Sequence, residues 1–274
     1  MTLLTEAVRD GAIGGRLWVY ANYHCNLQCA YCLTESGPLV ARRELSPERL
    51  QELAVEARAA GFTALGVTGG EPFLVPGLAA VLPALAKRMP TLVLSNGTLF
   101  TDRLIDQLRP LAGLDFAIQI SLDSAEPDRN DEMRAPHNFA KVVAAVPRLQ
   151  AAGIRVRIAT TSEGLGQGEL ERLCNLHRSL GVPDHDHIVR PIVRRGRAAE
   201  QGLGADVVRR DLPAELTITA DGAFWSPFGP TVRGGRLDTD LLTRTTSPLT
   251  VPAAAMVRVA QGTPRSEPAG LGVV

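Results

Sequence analysis

Between about residues 17 and 195, short apolar runs alternate with amphipathic stretches, and that alternation restricts the chain to an α/β architecture. The apolar runs predict strands over 17–21, 64–68, 91–94, 116–121, 154–159 and 188–193. Helices are predicted between them. Ser46-Pro47-Glu48-Arg49 carries a capping serine and a proline at the first helical position, and Gly61 stops that helix. Further helices are expected over 78–88, from Thr101-Asp102 to Arg109, over 139–152 ahead of Gly153, and over 169–180 ahead of Gly181. Each connection is long enough for a right-handed crossover, so about six β/α units make a parallel sheet with helices outside. Periodicity alone leaves an open doubly wound sheet and a closed or partial barrel both standing.

After Arg197 the period is lost. Leu216 to Ser226 predicts a hairpin turning at Asp221-Gly222, and from about Thr245 scattered Pro, Ser, Thr and Gly predict weak order. The organisation expected is an N-terminal segment 1–16, a core 17–197, a small extension 198–243 and a tail 244–274.

Composition narrows the function classes. Lys+Arg and Asp+Glu are 29 each, so no global field draws the chain to nucleic acid or to an anionic membrane. No apolar run approaches the roughly 20 residues of a membrane span. Glu6, Arg9 and Asp10 interrupt the start where a cleavable leader would be apolar. A cytoplasmic protein is expected. Four cysteines in 274 residues are too sparse for a disulfide scaffold, yet three fall within eight positions.

Those three form Cys25-Asn26-Leu27-Gln28-Cys29-Ala30-Tyr31-Cys32, directly after the first predicted strand. Thiolates suit iron–sulfur clusters and zinc, and three sulfurs leave one metal position open for reactivity. Unrelated core cysteines are one alternative. Structural zinc is another, with His24 or Cys174 as fourth ligand; Cys174 lies in the predicted helix over 169–180 and reads more simply as a small buried hydrophobe.

The spacing Cys-x3-Cys-x2-Cys, with Asn26, Leu27 and Tyr31 at their places, resembles the radical SAM superfamily signature. The resemblance implies that Cys25, Cys29 and Cys32 bind one 4Fe–4S cluster whose fourth iron is chelated by S-adenosylmethionine. It also implies reductive cleavage to a 5′-deoxyadenosyl radical, with a flavodoxin- or ferredoxin-type electron donor. Tyr31 matches the family's aromatic position. Thr68-Gly69-Gly70-Glu71-Pro72 follows the second strand and resembles the motif that binds the methionine amino group. Ser95-Asn96-Gly97-Thr98 ends the third strand, as in many relatives. Ser121-Leu122-Asp123-Ser124 ends the fourth, and with Arg134 it resembles the segment that binds the cofactor's ribose or carboxylate. The family usually has Arg-Gly where this chain has Arg134-Ala135. Gly153 to Ile158 resembles the fifth-strand region near adenine.

All of these motifs fall at the C-terminal ends of successive strands, where α/β enzymes gather their sites. That placement favours a partial (β/α)6 TIM-like barrel with a small C-terminal extension. Asp184-His185-Asp186-His187 precedes the sixth strand and is expected to be a polar loop at the opposite end. Arg190, Arg194, Arg195 and Arg197 read as charged surface or as binders of a charged substrate or partner. Arg194 to Ala198 resembles the junction after the sixth strand in peptide-modifying relatives. Residues 216–227 and Gly235-Arg236-Leu237 resemble a degenerate SPASM or twitch region without its cysteines: Phe228 follows Pro227 where a cysteine is typical. One cluster is therefore expected, acting on a peptide or small metabolite, with a non-catalytic paralogue as the alternative.

Overall fold

The expected strands form in order: β1 (Arg16–Asn22), β2 (Ala64–Gly69), β3 (Thr91–Ser95), β4 (Phe116–Ser121), β5 (Arg155–Thr161) and β6 (His187–Arg190). The computed structural model describes residues 3–233, 236–237 and 240–262. Helix α1 (Leu3–Arg9) precedes β1, α2 (Pro47–Ala60) joins β1 to β2, and α3 (Leu78–Ala86) joins β2 to β3. Then α4 (Asp102–Leu108) leads to β4, α5 (Pro127–Met133) and α6 (Asn138–Ala151) lead to β5, and α7 (Gln167–Ser179) leads to β6. The caps work as their residue types dictate: Ser46 Oγ accepts the Arg49 N–H at 3.2 Å, and Gly61 ends α2 at a left-handed φ of 98°.

β1 to β6 pair in sequence order and all in parallel, with Leu17 beside Leu65, Val93 beside Ile118 and Ile120 beside Ile158. The period of two sorts their side chains. Val19, Val67, Val93, Ile118 and Ile158 face the helices and share one core with Leu53, Leu82, Val146 and Leu149. Trp18, Leu92 and Ala117 form a smaller apolar cluster. Above it, towards the strand ends, stand Gln119 and Ser121, and there a cavity opens.

The C-terminal extension joins the same sheet. After α8 (Arg197–Glu200), β7 (Thr217–Thr219) pairs in parallel with β1, and β8 (Gly222–Phe224) returns antiparallel to β7. β9 (Val232–Arg233) and β10 (Arg236–Leu237) pair with each other, and β11 (Leu241–Thr243) adds to β8. The nine-stranded order is β11-β8-β7-β1-β2-β3-β4-β5-β6, with no pairing of β6 back to the other edge among the described residues. It is a partial barrel, unclosed.

Two expectations are corrected. Thr219 pairs with Gly222, so the hairpin turns at Ala220-Asp221, one residue earlier than the Asp-Gly signal suggested. Thr219 Oγ1 closes that turn by accepting the Asp221 N–H at 3.0 Å. The chain after Thr245 is not weakly ordered over Thr250–Gly262, which forms α9 and buries Ala253, Met256 and Val257. The Leu249 N–H donates to Glu56 Oε2 at 2.5 Å, and Arg49 Nη2 to the Thr246 carbonyl at 2.9 Å. Gly235 and residues 263–274 lie outside the described residues. No helix among the described residues is long and apolar enough to cross a membrane.

Candidate active site

Cys25, Cys29 and Cys32 are free thiols in the loop after β1, and all three line the cavity at the strand ends. Cys25 is buried and the other two half-buried. Burial pushes the Cys25 thiol up to about 12, so metal loading there displaces a proton. The Leu27 N–H at 3.4 Å and Asn96 Nδ2 at 3.6 Å both donate to Cys25 Sγ. Cys32 Sγ lies 3.4 Å from Thr34 Oγ1, which continues to Ser36 Oγ at 2.9 Å. Three soft donors on one cavity, with N–H groups aimed at one sulfur, fit an iron–sulfur cluster. Among the described residues no three His, Cys, Asp or Glu side chains are already drawn together at metal-binding spacing.

The Gly-Gly-Glu-Pro turn ties the strand ends together. Gly69 has φ of 142°, and a Cβ on Gly70 would stand 2.2 Å from the His24 carbonyl oxygen, so only glycines allow β2 to lie against the cysteine loop. Gly69 and Gly70 line the cavity, whereas Glu71 and Pro72 do not. The Glu71 carboxylate turns inward, accepting from the Asn96 N–H at 2.8 Å, the Phe73 N–H at 3.1 Å and Ser95 Oγ at 3.0 Å. Burial raises this carboxyl to about 7 despite those donors. Its carbonyl accepts from Asn22 Nδ2 at 3.0 Å. Pro72 starts a short 3₁₀ turn, Pro72–Leu74.

Across the cavity, the half-buried Tyr31 forms a triad with the buried Asp123 and Arg134. Tyr31 Oη donates to Asp123 Oδ2 at 2.5 Å, and Arg134 Nη1 pairs with the same oxygen at 3.1 Å and with the Tyr31 hydroxyl. The Thr161 N–H donates to Asp123 Oδ1 at 2.9 Å. Arg134 Nε is buried without a hydrogen-bond partner among the described residues. Ser121 and Asn96 line the cavity with this triad, and Asn96 Nδ2 also holds Asn26 Oδ1 at 2.9 Å.

Arg190, at the end of β6, is set apart from the other late arginines. Like Arg197 it lines the cavity, but its Nε and Nη2 are buried with no hydrogen-bond partner among the described residues. Burial, and then Arg157 and Arg16, lower its proton affinity to about 10. Glu215, which accepts from Trp18 Nε1 at 2.6 Å, is the carboxylate that offsets them. Periodicity gave no means of separating Arg190 from Arg194, Arg195 and Arg197. Phe228 walls the cavity beside Pro227, whose carbonyl accepts the Tyr20 hydroxyl at 2.5 Å. At the far end of β6 the Asp-His run is a polar turn: Asp186 pairs with Arg155 at 2.6 Å, and His187 contacts Thr160 Oγ1 at 2.9 Å.

Comparisons with known proteins agree with this geometry. GTP 3′,8-cyclase of Nitrobacter winogradskyi is 28% identical over 71% of this chain and 59% of its own length. The enzyme of that name from Bradyrhizobium diazoefficiens is 30% identical over 78% of this chain and 65% of its own. The chain thus spans about three-fifths of the length of these relatives. Among solved structures, native anSMEcpe with bound AdoMet superimposes with a TM-score of 0.61 at 13% identity, over 89% of this chain and 83% of that one. Streptococcus suis SuiB bound to its precursor peptide SuiA gives 0.52 at 14% identity, over 65% and 40%. At such identities the likeness is one of fold. The model of the radical SAM superfamily matches residues 19–176. The chain belongs to that superfamily, whose cofactors are S-adenosylmethionine and a 4Fe–4S cluster.

Proposed function

We propose that this protein cleaves S-adenosylmethionine reductively at a single cluster held by Cys25, Cys29 and Cys32, and directs the resulting radical at a small anionic substrate. Held by Cys25, Cys29 and Cys32, a cluster reduced by an external one-electron donor would, with S-adenosylmethionine bound, supply the reductive cleavage of a sulfur–carbon bond that leads to hydrogen-atom abstraction. The chain's own residues do the rest. Gly69 and Gly70 let backbone approach the cofactor, and Asn96 and Ser121 offer polar contacts to it. Arg134, fixed by Asp123 and Tyr31, presents a guanidinium suited to the cofactor carboxylate. Glu71 and Pro72 serve by holding the turn.

The substrate class rests on Arg190. A guanidinium with two buried nitrogens that find no partner among the described residues is costly unless an anion completes it, and this one lines the cavity with the cysteine loop and Phe228. A phosphate or carboxylate is its natural partner. The relatives named for GTP put nucleoside triphosphates among the candidates, and the neighbour solved with a precursor peptide puts peptide carboxylates there.

The test is anaerobic reconstitution followed by dithionite-dependent 5′-deoxyadenosine formation, with GTP, other phosphorylated metabolites, dicarboxylates and acidic peptides added in turn. An anion that stimulates formation in the wild type and loses at least about tenfold of that effect in R190A, the scale of one charge-assisted contact, is the expected result. Iron uptake without cleavage of S-adenosylmethionine would instead identify a non-catalytic paralogue.

A further inference from the structure

The arginines that follow β6 are not a shared charged surface. Arg194 donates to the Gly204 carbonyl at 2.6 Å and pairs with Asp206 at 3.3 Å. Arg195 pairs with the buried Asp240 and donates to the Phe228 carbonyl at 3.2 Å. Arg197 turns the other way, onto the cysteine loop. Its Nε donates to the Cys29 carbonyl at 2.9 Å and its Nη2 to the Ser36 carbonyl at 2.5 Å. Its backbone N–H donates to the Cys32 carbonyl at 3.1 Å. One residue from the far side of the sheet thus binds three carbonyls of the loop that bears the cysteines.

Gly196 makes the contact possible. Its φ of 55° and ψ of −135° suit glycine, and a Cβ there would stand 2.3 Å from the Leu33 carbonyl oxygen and 2.7 Å from that of Cys32. Side chains hold the loop elsewhere, Tyr31 on Asp123 at 2.5 Å and Asn26 on Asn96 and Thr98 at 2.9 and 2.8 Å, and its other backbone ties are single contacts. The Cys25 N–H reaches the Gly37 carbonyl at 3.3 Å, the Ala30 N–H the Met133 carbonyl at 2.9 Å, and the Cys32 N–H the Cys29 carbonyl at 3.2 Å. A planar guanidinium that donates from two edges sets the spacing of its two acceptors more strictly than a flexible ammonium can. Here the acceptors are Cys29 and Ser36, and Cys32 lies between them.

We propose that Arg197 is a positioning residue for the cluster: it sets the curvature of residues 29–36 that brings the Cys29 and Cys32 thiols to one metal centre, and it keeps a fixed positive charge against that centre. The charge favours the reduced and more negative state of the cluster, because cluster potentials follow local charge and hydrogen bonding. The role rests on the reading that Cys25, Cys29 and Cys32 are the ligands.

The experiment compares the wild type with R197Q and R197K, with R194Q as a neighbour control, by three readouts that do not depend on turnover. These are amide hydrogen exchange of residues 29–36 in the metal-free protein, cluster loss to a chelator after anaerobic reconstitution, and the midpoint potential from an EPR-monitored titration. In R197Q exchange and cluster loss are expected to speed up about tenfold, the scale of losing charge-assisted hydrogen bonds, and the midpoint is expected to fall. R197K restores the charge but not the fork, so its midpoint stays near that of the wild type while its exchange remains fast. Wild-type exchange, retention and midpoint in R197Q would overturn the role of Arg197 and leave the ligand assignment standing. A wild type that takes up no iron would overturn both.

Discussion

Asp123 is the residue on which the Tyr31 and Arg134 side of the cavity turns. Both of its oxygens are engaged, one by the Thr161 N–H and the other by Tyr31 and Arg134. The Asp123 and Arg134 side chains are only 3% and 4% exposed. Removing one partner of such a pair leaves a buried charge uncompensated, so D123A is expected to lose about 3 kcal/mol of stability and to bind S-adenosylmethionine weakly. Y31F keeps the ion pair and is expected to lose about 1 kcal/mol. Urea unfolding of the metal-free protein and calorimetric titration with S-adenosylmethionine read the two effects separately. Glu71 makes a different prediction. Its folded value of about 7 lies above the ordinary 4.5, so between those values the folded state holds more protons than the unfolded one. Stability contributed by this group is therefore full below about 4.5 and declines as pH rises towards 7. In E71Q that slope should vanish from the unfolding free energy measured between pH 4.5 and 7. The variant should also be less stable, because an amide N–H₂ then faces the donors that the carboxylate accepted. An unchanged slope would assign the pH dependence to other groups.

At the scale of elements, α7 is docked on the sheet by an awkward residue. His177 is 1% exposed, neither ring nitrogen has a hydrogen-bond partner among the described residues, and its ring meets His187 edge-on at 4.3 Å. Burial lowers its value to about 3 from 6.5, so the unfolded chain binds a proton there that the folded one refuses. This contribution is lost as pH falls from 6.5 towards 3. H177L removes the unpaired polar atoms and is expected to be as stable as the wild type or more so, with a shallower acid limb in thermal unfolding. Elements like α7 were legible in the sequence because their signals are local: a Gly stop, a Ser or Thr cap, a period. The parallel pairing of β7 with β1 joins residues about 200 positions apart, such as Trp18 and Thr217, and nothing in either strand announces its partner. Helix α9 was hidden for another reason. Its Pro252 and the Ser and Thr residues before it look like loop, and only packing of Ala253, Met256 and Val257 makes it a helix. The same divide runs through the site. The cysteines and Gly69-Gly70 lie in contiguous motifs and line the cavity, whereas Glu71 and Pro72 of the same motif turn away from it. Arg190 and Arg197 differ only in what the fold sets opposite them.

At the scale of the whole molecule, the unclosed sheet brings the C-terminal extension to the cavity as a wall. Phe228 packs against Trp18, Leu92 and Ala117 as part of the apolar lower cavity. The remaining cysteine, Cys174, sits on α7 with its sulfur 3.8 Å from His187 Nδ1, and it does not line the cavity. Iron should therefore depend on one cysteine set: reconstituted wild type should hold about four irons per chain, C174S the same, and C29S almost none. F228C should not raise that number, because a single added thiol has no companion ligands. F228A should act on the reaction. Opening the apolar wall is expected to cost about 1–2 kcal/mol for a half-buried ring and, on the proposed function, to admit water where a radical must meet only its substrate. The measurable outcome is uncoupling. In F228A, 5′-deoxyadenosine should accumulate in excess of product, while iron content and affinity for S-adenosylmethionine stay at the wild-type level. Coupling equal to the wild type would mean that the extension is a structural annex rather than part of the reaction chamber.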